Sequence, residues 1–208
     1  MESSTTQLLT SVAALEALYS TASERSLWKE IAFLNPDYQA FVEASPFIVL
    51  ASSGPDGTDC SPRGDAPGFV RVLDDTTVAI PDRPGNNRID NLRNIVVNGS
   101  VSVLFMVPGI GETLRINGRA VISVEPSLIA SFSVNGKVPR TVIVVHVESA
   151  YFHCSKAMVR SSLWDATRHL DRSQLPTAGH MLQRLATAEF NGQAYDLELP
   201  ARLKTGLY

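Results

Sequence analysis

The chain has 208 residues, 44% of them apolar and 19% charged, with a formal net charge of −3 and a pI near 5.8. That balance sets up no global field for nucleic acid, and no apolar run approaches the roughly 18 residues of a membrane span. The two cysteines, Cys60 and Cys154, lie far apart and form no ligand pair, so neither a disulfide framework nor a metal site is expected. The start, Met1-Glu2-Ser3-Ser4, is not the basic region of a signal peptide, and the expectation is a soluble, cytoplasmic protein.

In chain order, the first 45 residues read as helical. Leu8, Leu9, Val12, Leu15, Leu18 and Tyr19 recur at three- and four-residue intervals, the spacing of one apolar helix face. Asn35-Pro36 is a cap followed by proline at the first helical position, with Asp37 in the first turn. The helix it opens should run to about Ala44. The texture then changes to short apolar runs. Phe47-Ile48-Val49-Leu50-Ala51 is closed by the turn Gly54-Pro55-Asp56-Gly57. Phe69-Val70-Arg71-Val72-Leu73 and Thr76-Thr77-Val78-Ala79-Ile80 flank Asp74-Asp75, a hairpin pattern.

Ile89, Leu92 and Ile95 then return at helical spacing, so a short crossover helix is predicted over residues 86–97. Further strands are predicted over residues 100–107, 113–124 and 140–147, and helices over 155–163 and 178–189. This order, with no internal repeat or linker, predicts one α+β domain over residues 1–208, mainly β with helices. It divides into a helical N-terminal segment (1–45), an antiparallel barrel core (46–150) and a helical C-terminal extension (151–208).

The basic residues are unevenly chosen and unevenly placed. There are 14 arginines to 4 lysines, and seven arginines fall between Arg63 and Arg119, where there is no lysine. A guanidinium grips phosphate or carboxylate with two parallel bonds, whereas an ammonium is a point charge. Three segments keep polar company with these arginines: Ser61-Pro62-Arg63-Gly64-Asp65, Pro81-Asp82-Arg83-Pro84-Gly85-Asn86-Asn87-Arg88, and Glu112 to Ala120. The second says most. A Gly- and Asn-rich loop opening a helix offers free backbone N–H groups and a favourable dipole to an anion, and Arg83 and Arg88 would add charge-assisted bonds. A cap would account for one asparagine, not for two flanked by arginines. In the third segment Thr113, Arg115, Asn117 and Arg119 share one strand face, while Leu114, Ile116 and Gly118 share the other.

These segments resemble the flavin-binding proteins related to pyridoxamine 5′-phosphate oxidase. The likeness runs over about residues 30–165. It is carried by Asp82-Arg83-Pro84-Gly85-Asn86-Asn87-Arg88-Ile89-Asp90-Asn91-Leu92, then Val101-Ser102-Val103-Leu104-Phe105, then the run from Glu112 to Ala120. The resemblance implies an antiparallel split β-barrel that binds FMN in a site shared across the two-fold interface of a homodimer. By this resemblance Arg63 on a barrel strand and Asn86, Asn87 and Arg88 at the helix start grip the cofactor phosphate, and Ser61, Gly64, Arg83 and Arg115 are further cofactor-binding candidates. Ile80 and Pro81 run past the flavin ring, and Glu112 and Thr113 approach it from the second subunit. The family's C-terminal Arg-x-His substrate element has no counterpart in residues 187–208, which detaches pyridoxamine phosphate itself from the expectation.

The function expected is a flavin-dependent oxidoreductase with a small-molecule substrate and no nucleic-acid or membrane partner. A flavin carrier or sensor, a deazaflavin enzyme and a haem-binding or haem-degrading protein with His146 or His153 as ligand are the alternatives. Tyr151-Phe152-His153-Cys154-Ser155-Lys156 ends a strand and starts a helix, and His153, Lys156, Arg160 and Trp164 have no assigned role. No Gly-x-Gly-x-x-Gly dinucleotide fingerprint follows a strand.

Overall fold

The computed structural model describes residues 8–208. Seven strands form a single antiparallel sheet: β1 (Phe47–Gly54), β2 (Gly57–Gly64), β3 (Arg71–Asp74), β4 (Thr77–Pro81), β5 (Ser100–Met106), β6 (Thr113–Ser123) and β7 (Val142–His153). Their order is β2-β1-β5-β6-β7-β4-β3, and the two edge strands β2 and β3 do not pair with each other. The alternating residues Ile48 and Leu50, Val103 and Phe105, Leu114 and Ile116, Val145 and Val147, and Val78 and Ile80 nevertheless belong to one continuous core. Five neighbouring strands share one apolar interior only when the sheet curls around it. The architecture is therefore α+β, a curled antiparallel sheet left open between β2 and β3.

Helix α3 (Pro36–Ala44) and helix α4 (Asp90–Val97) complete that interior. The Asn35 side chain accepts from Tyr38 N at 2.9 Å, as its sequence predicted, and Tyr38 and Val42 are the residues α3 buries. The Tyr38 hydroxyl donates to the Lys29 carbonyl at 2.5 Å, which ties the preceding segment down. Helix α4 contributes Asn91 and Ile95 to the interior. Strand β4 is buried at every position, because a second cluster of Phe132, Ala79 and Val142 covers its other face. That cover includes Leu128 and Ile129 of helix α5 (Pro126–Ser131). At the bulge between Asn117 and Gly118 any side chain at Gly118 would collide with the His146 carbonyl oxygen, so glycine is required there.

Several expectations shift. The apolar stripe of residues 8–19 forms only a five-residue helix, α1 (Val12–Glu16), none of it buried, and a second exposed turn, α2 (Glu24–Trp28), follows. The part of the expected N-terminal segment in residues 1–7 lies outside the described residues. The predicted crossover helix begins at Asp90 rather than Asn86, because Asn87 (φ 58°) and Ile89 (φ 39°) adopt left-handed backbone that a helix excludes. The β3–β4 hairpin is shorter than predicted. Its turn is closed by Asp74, whose carboxylate accepts from Thr76 N at 2.8 Å.

Strand β7 continues to His153, well past the predicted end. After α6 (Lys156–Ser161) come α7 (Ala178–Leu185) and α8 (Gly192–Gly206), the last inside the expected helical extension though not bounded in advance. Gly179 N donates to Asp196 at 2.8 Å and Gly192 N to Gln183 at 3.2 Å, so α7 and α8 are stitched together at their starts. No helix among the described residues is long and apolar enough to cross a membrane.

Candidate functional site

Strand alternation places Asp59, Ser61 and Arg63 of β2 on one face, with Pro62 and Gly64 on the other side of the ribbon. Opposite that face lie Pro81, the loop 82–89 and the first turn of α4. Between them is a cleft of about 420 Å³. Ser61, Arg63, Gly64, Pro81, Arg83, Asn86 and Arg88, all singled out in the sequence, line it together. Asn87 faces an adjoining cavity of about 280 Å³ on the same loop, which Arg63, Arg83 and Arg88 also line. Ile80 is wholly buried in the core, pairs with Ile143 and lines neither cavity. Glu112, Thr113 and Arg115 lie on or just before β6 and line neither cavity.

Each cleft arginine stands beside a carboxylate. Arg63 Nη1 donates to Asp82 at 2.5 Å, while its Nε is buried with no partner. Arg83 Nε donates to Asp65 at 2.8 Å and its Nη1 to the Phe132 carbonyl at 2.9 Å. Burial pushes the Asp65 carboxyl up, but bonds from the Tyr208 hydroxyl, the Ala66 N–H and Arg83 outweigh it and hold the group below the usual carboxylate range. Arg88 pairs with Asp90 at 2.8 Å, and its side chain is 77% exposed. Arg88 is thus the most exposed of the three, and Arg83 the most enclosed.

Three contributors were not singled out from sequence. Asn91 is buried, takes a hydrogen bond from the Ser61 hydroxyl and donates to Ser52 Oγ at 2.9 Å. It thereby locks the start of α4 against β1 and β2. Arg140 donates to the Asn87 side chain at 3.3 Å and has no carboxylate within ion-pair distance among the described residues. Thr141 lines the same cavity, and its hydroxyl is buried without a partner. Arg140 and Thr141 precede β7 without any motif, so only their arrival beside the loop marks them. Asn91 sits in the quoted run and could have been found from it. The loop itself is strained: an isoleucine in the left-handed region is a genuine outlier, costing on the order of 1–3 kcal/mol, and such outliers concentrate at ligand clamps.

A second polar cluster lies on the outer face of β6 and β7. Arg115 stacks its guanidinium 4.2 Å from the Tyr151 ring centroid, and the His153 ring lies 4.6 Å from the same ring. Lys29 Nζ is 5.5 Å from that centroid and 5.0 Å from Phe152's. Burial, then the charges of Arg115 and Lys29, push the His153 imidazole below its usual range. His146 pairs across from Thr77 and is exposed. Both cysteines are free and exposed.

Residues 34–154 match the pyridoxamine 5′-phosphate oxidase family. That is more than half of the chain. The chain belongs to the pyridoxamine 5′-phosphate oxidase family. Among solved structures it is similar to a tagged HupZ from Group A Streptococcus, at 21% identity and TM-score 0.45, over 56% of this chain and 90% of that one. It is also similar to General Stress Protein 26 from Bacillus anthracis (16% identity, TM-score 0.41, 54% and 88% covered). A third similar structure is an F420 reductase (16%, 0.42, 57% and 98%). No curated protein matches the sequence. The family match takes in β1 to β7 and α4, and so every residue named around the cleft except Tyr208.

Proposed function

We propose that this member of the pyridoxamine 5′-phosphate oxidase family binds FMN in the cleft between β2 and the loop 82–89. In this reading it is a flavin-dependent oxidoreductase of a small-molecule substrate, acting as a cytoplasmic homodimer. The observation that carries the reading is Arg63. A guanidinium wedged in a cleft wall, with Nε buried and unpartnered, is a donor awaiting an acceptor.

The residues present suit the cofactor. A volume of about 420 Å³ lies within the range of small-molecule and cofactor pockets. Arg63 and Arg88 would hold the phosphate, with Asn86, Asn87 and Arg140 beside them. The Ser61–Asn91 bond keeps the two walls in register, and Pro81 lines the cleft between them. Glu112, Thr113 and Arg115 would reach the ring from the second subunit, which is why the active species in this reading is a dimer. Bound flavin supplies hydride chemistry, and the protein's share is binding, orientation and electrostatics.

Titration of the purified protein with FMN, FAD and riboflavin, followed by flavin fluorescence and an absorption spectrum, tests the reading. The expected result is twin flavin bands and tightest binding of FMN. Equal or tighter binding of FAD, or a haem Soret or deazaflavin band in the purified protein, would overturn it.

A further inference from the structure

The turn between β5 and β6 stands beyond the last rung of that pair, Met106 with Thr113. It closes on itself through Ile110 N, which donates to the Val107 carbonyl at 3.0 Å, with Gly109 at φ 83°. These contacts give the turn its shape. Its descending limb is held by a different element, helix α6, which grips two consecutive residues. At the start of α6, Ser155 lies so close to Gly111 that a side chain there would come within 2.6 Å of the serine Cβ. Just past the end of α6, the Trp164 indole N–H donates to the Ile110 carbonyl at 2.8 Å. The next residues along the chain are Glu112 and Thr113. We propose that Trp164 is a positioning residue: together with Ser155 it holds this turn so that Glu112 and Thr113 stand at a fixed place against the flavin of the second subunit. The proposal rests on the flavin reading above. It adds residues from outside the family match, which ends at residue 154.

Local structure aims the indole. Helix α6 ends in Ser162, left-handed at φ 52°, with Ser162 N donating to the Val159 carbonyl and Leu163 N to the Met158 carbonyl, each at 3.2 Å. That pair of bonds satisfies the last carbonyls of a helix and turns the chain back. A serine in this region of backbone is uncommon. On the far side the Asp165 carboxylate accepts from Thr167 N at 3.0 Å and from its hydroxyl at 2.6 Å, closing the next turn. Trp164 therefore stands between two closed turns, half-buried, with its direction set by both.

An indole commonly finds some carbonyl, and that alone would make Trp164 an ordinary structural residue. The choice of acceptor carries the argument. The bond lands two residues before Glu112, and the intervening residue is the one that Ser155 blocks. Groups that must meet a cofactor held by another chain need a supporting shell, because a misplacement of about 1 Å loses most of their effect.

Trp164→Phe keeps the aromatic bulk and removes the N–H. It should weaken FMN and riboflavin by the same factor, roughly three- to tenfold, because the grip acts at the ring end and not at the phosphate. The visible circular dichroism of the bound flavin should change with it, while light scattering still reports a dimer. Thr113→Val should give a loss of the same kind. The double variant should lose no more than the worse single one, since both act through one contact. Gly111→Ala displaces the turn from the Ser155 side and should repeat the effect, and adding Ser155→Gly, which removes the colliding atom, should restore binding. That pair decides the question if Trp164→Phe folds poorly. Unchanged affinities and flavin dichroism beside a lowered Tm would overturn the proposal. So would a loss confined to FMN, a loss additive with Thr113→Val, a monomeric Trp164→Phe, or a Gly111→Ala defect that Ser155→Gly leaves in place. A wild type that takes up no flavin would bring down the flavin reading and this proposal together. A wild type that binds flavin, and loses FMN selectively on Arg88→Ala, leaves only the role of Trp164 at stake.

Discussion

Arg83 and Asp65 form the most enclosed ion pair among the described residues, with Nε donating to Oδ2 at 2.8 Å and side chains only 15% and 4% exposed. The pair is extended on both sides. Arg83 also reaches the Phe132 carbonyl, and Asp65 accepts from the Tyr208 hydroxyl at 2.5 Å. It fastens the loop 82–89 to the end of β2 and to the end of the chain. Removing one partner strands a buried charge. Arg83→Ala should therefore destabilise the fold by about 3 kcal/mol, a fall in Tm of roughly 6–12 °C for a chain of this size. Arg88→Ala breaks only an exposed pair and should move Tm by about 4 °C at most. Thermal unfolding by circular dichroism compares them directly.

Acid should expose the same network. The Asp65 carboxyl titrates below its ordinary value in the folded chain. The unfolded state therefore takes up the proton first. The stabilisation is fully present above the unfolded value, about pH 3.9, and fades as pH falls through the lower folded value. Urea midpoints measured from pH 6 down to pH 2 should fall more steeply for the wild type than for Asp65→Asn. Parallel profiles would show that Asp65 makes no linked contribution.

For ligand binding the order of the arginines reverses. Arg88→Ala should weaken FMN by about 1.5–3 kcal/mol, or roughly ten- to a hundred-fold. Riboflavin, which lacks the phosphate, should lose far less. Arg140→Ala should act in the same sense as Arg88→Ala, since Arg140 reaches the loop through Asn87 without a carboxylate of its own. Arg93, one turn further along α4, should matter little. Isothermal titration with both flavins reads all three changes, and equal losses for FMN and riboflavin would make Arg88 a structural residue.

Assembly follows from where Glu112, Thr113 and Arg115 stand. They line neither cavity of the loop, so a role at the flavin requires a second copy of the chain. Light scattering at micromolar protein should report a dimer with one flavin per chain. A flavin-loaded monomer would exclude these three residues from the site.

The strands were legible because their chemistry is local. Leu114 and Ile116 alternate with the polar Thr113, Arg115 and Asn117, and that period survives in the structure as inside and outside; Phe47 to Ala51 was legible instead as a short apolar run closed by a turn signal. Asn35-Pro36-Asp37 was read correctly for the same reason, since a cap is settled within one turn. Helix α8 falls within the helical extension expected over 151–208 but received no bounds of its own, since Pro200 stands inside it and proline ordinarily ends a helix. The apolar stripe of residues 8–19 misled in the opposite direction. Periodicity states what a segment would bury if it met a partner, and Leu18 is 69% exposed.

By itself the sequence determined the α+β class and the succession of short strands along the chain, because short-range patterns encode them; Ser61 and Arg63 were placed with Arg83, Asn86 and Arg88 only by the family resemblance. Tertiary structure alone decided which arginines are engaged and which are free. Arg63, Asp65, Tyr208, Arg140 and Thr141 come from other parts of the chain, and only the tertiary fold brings them to the loop. The same holds for Lys29 and His153 beside Arg115. Charge pairing depends on distance in space, and no spacing along the chain records it.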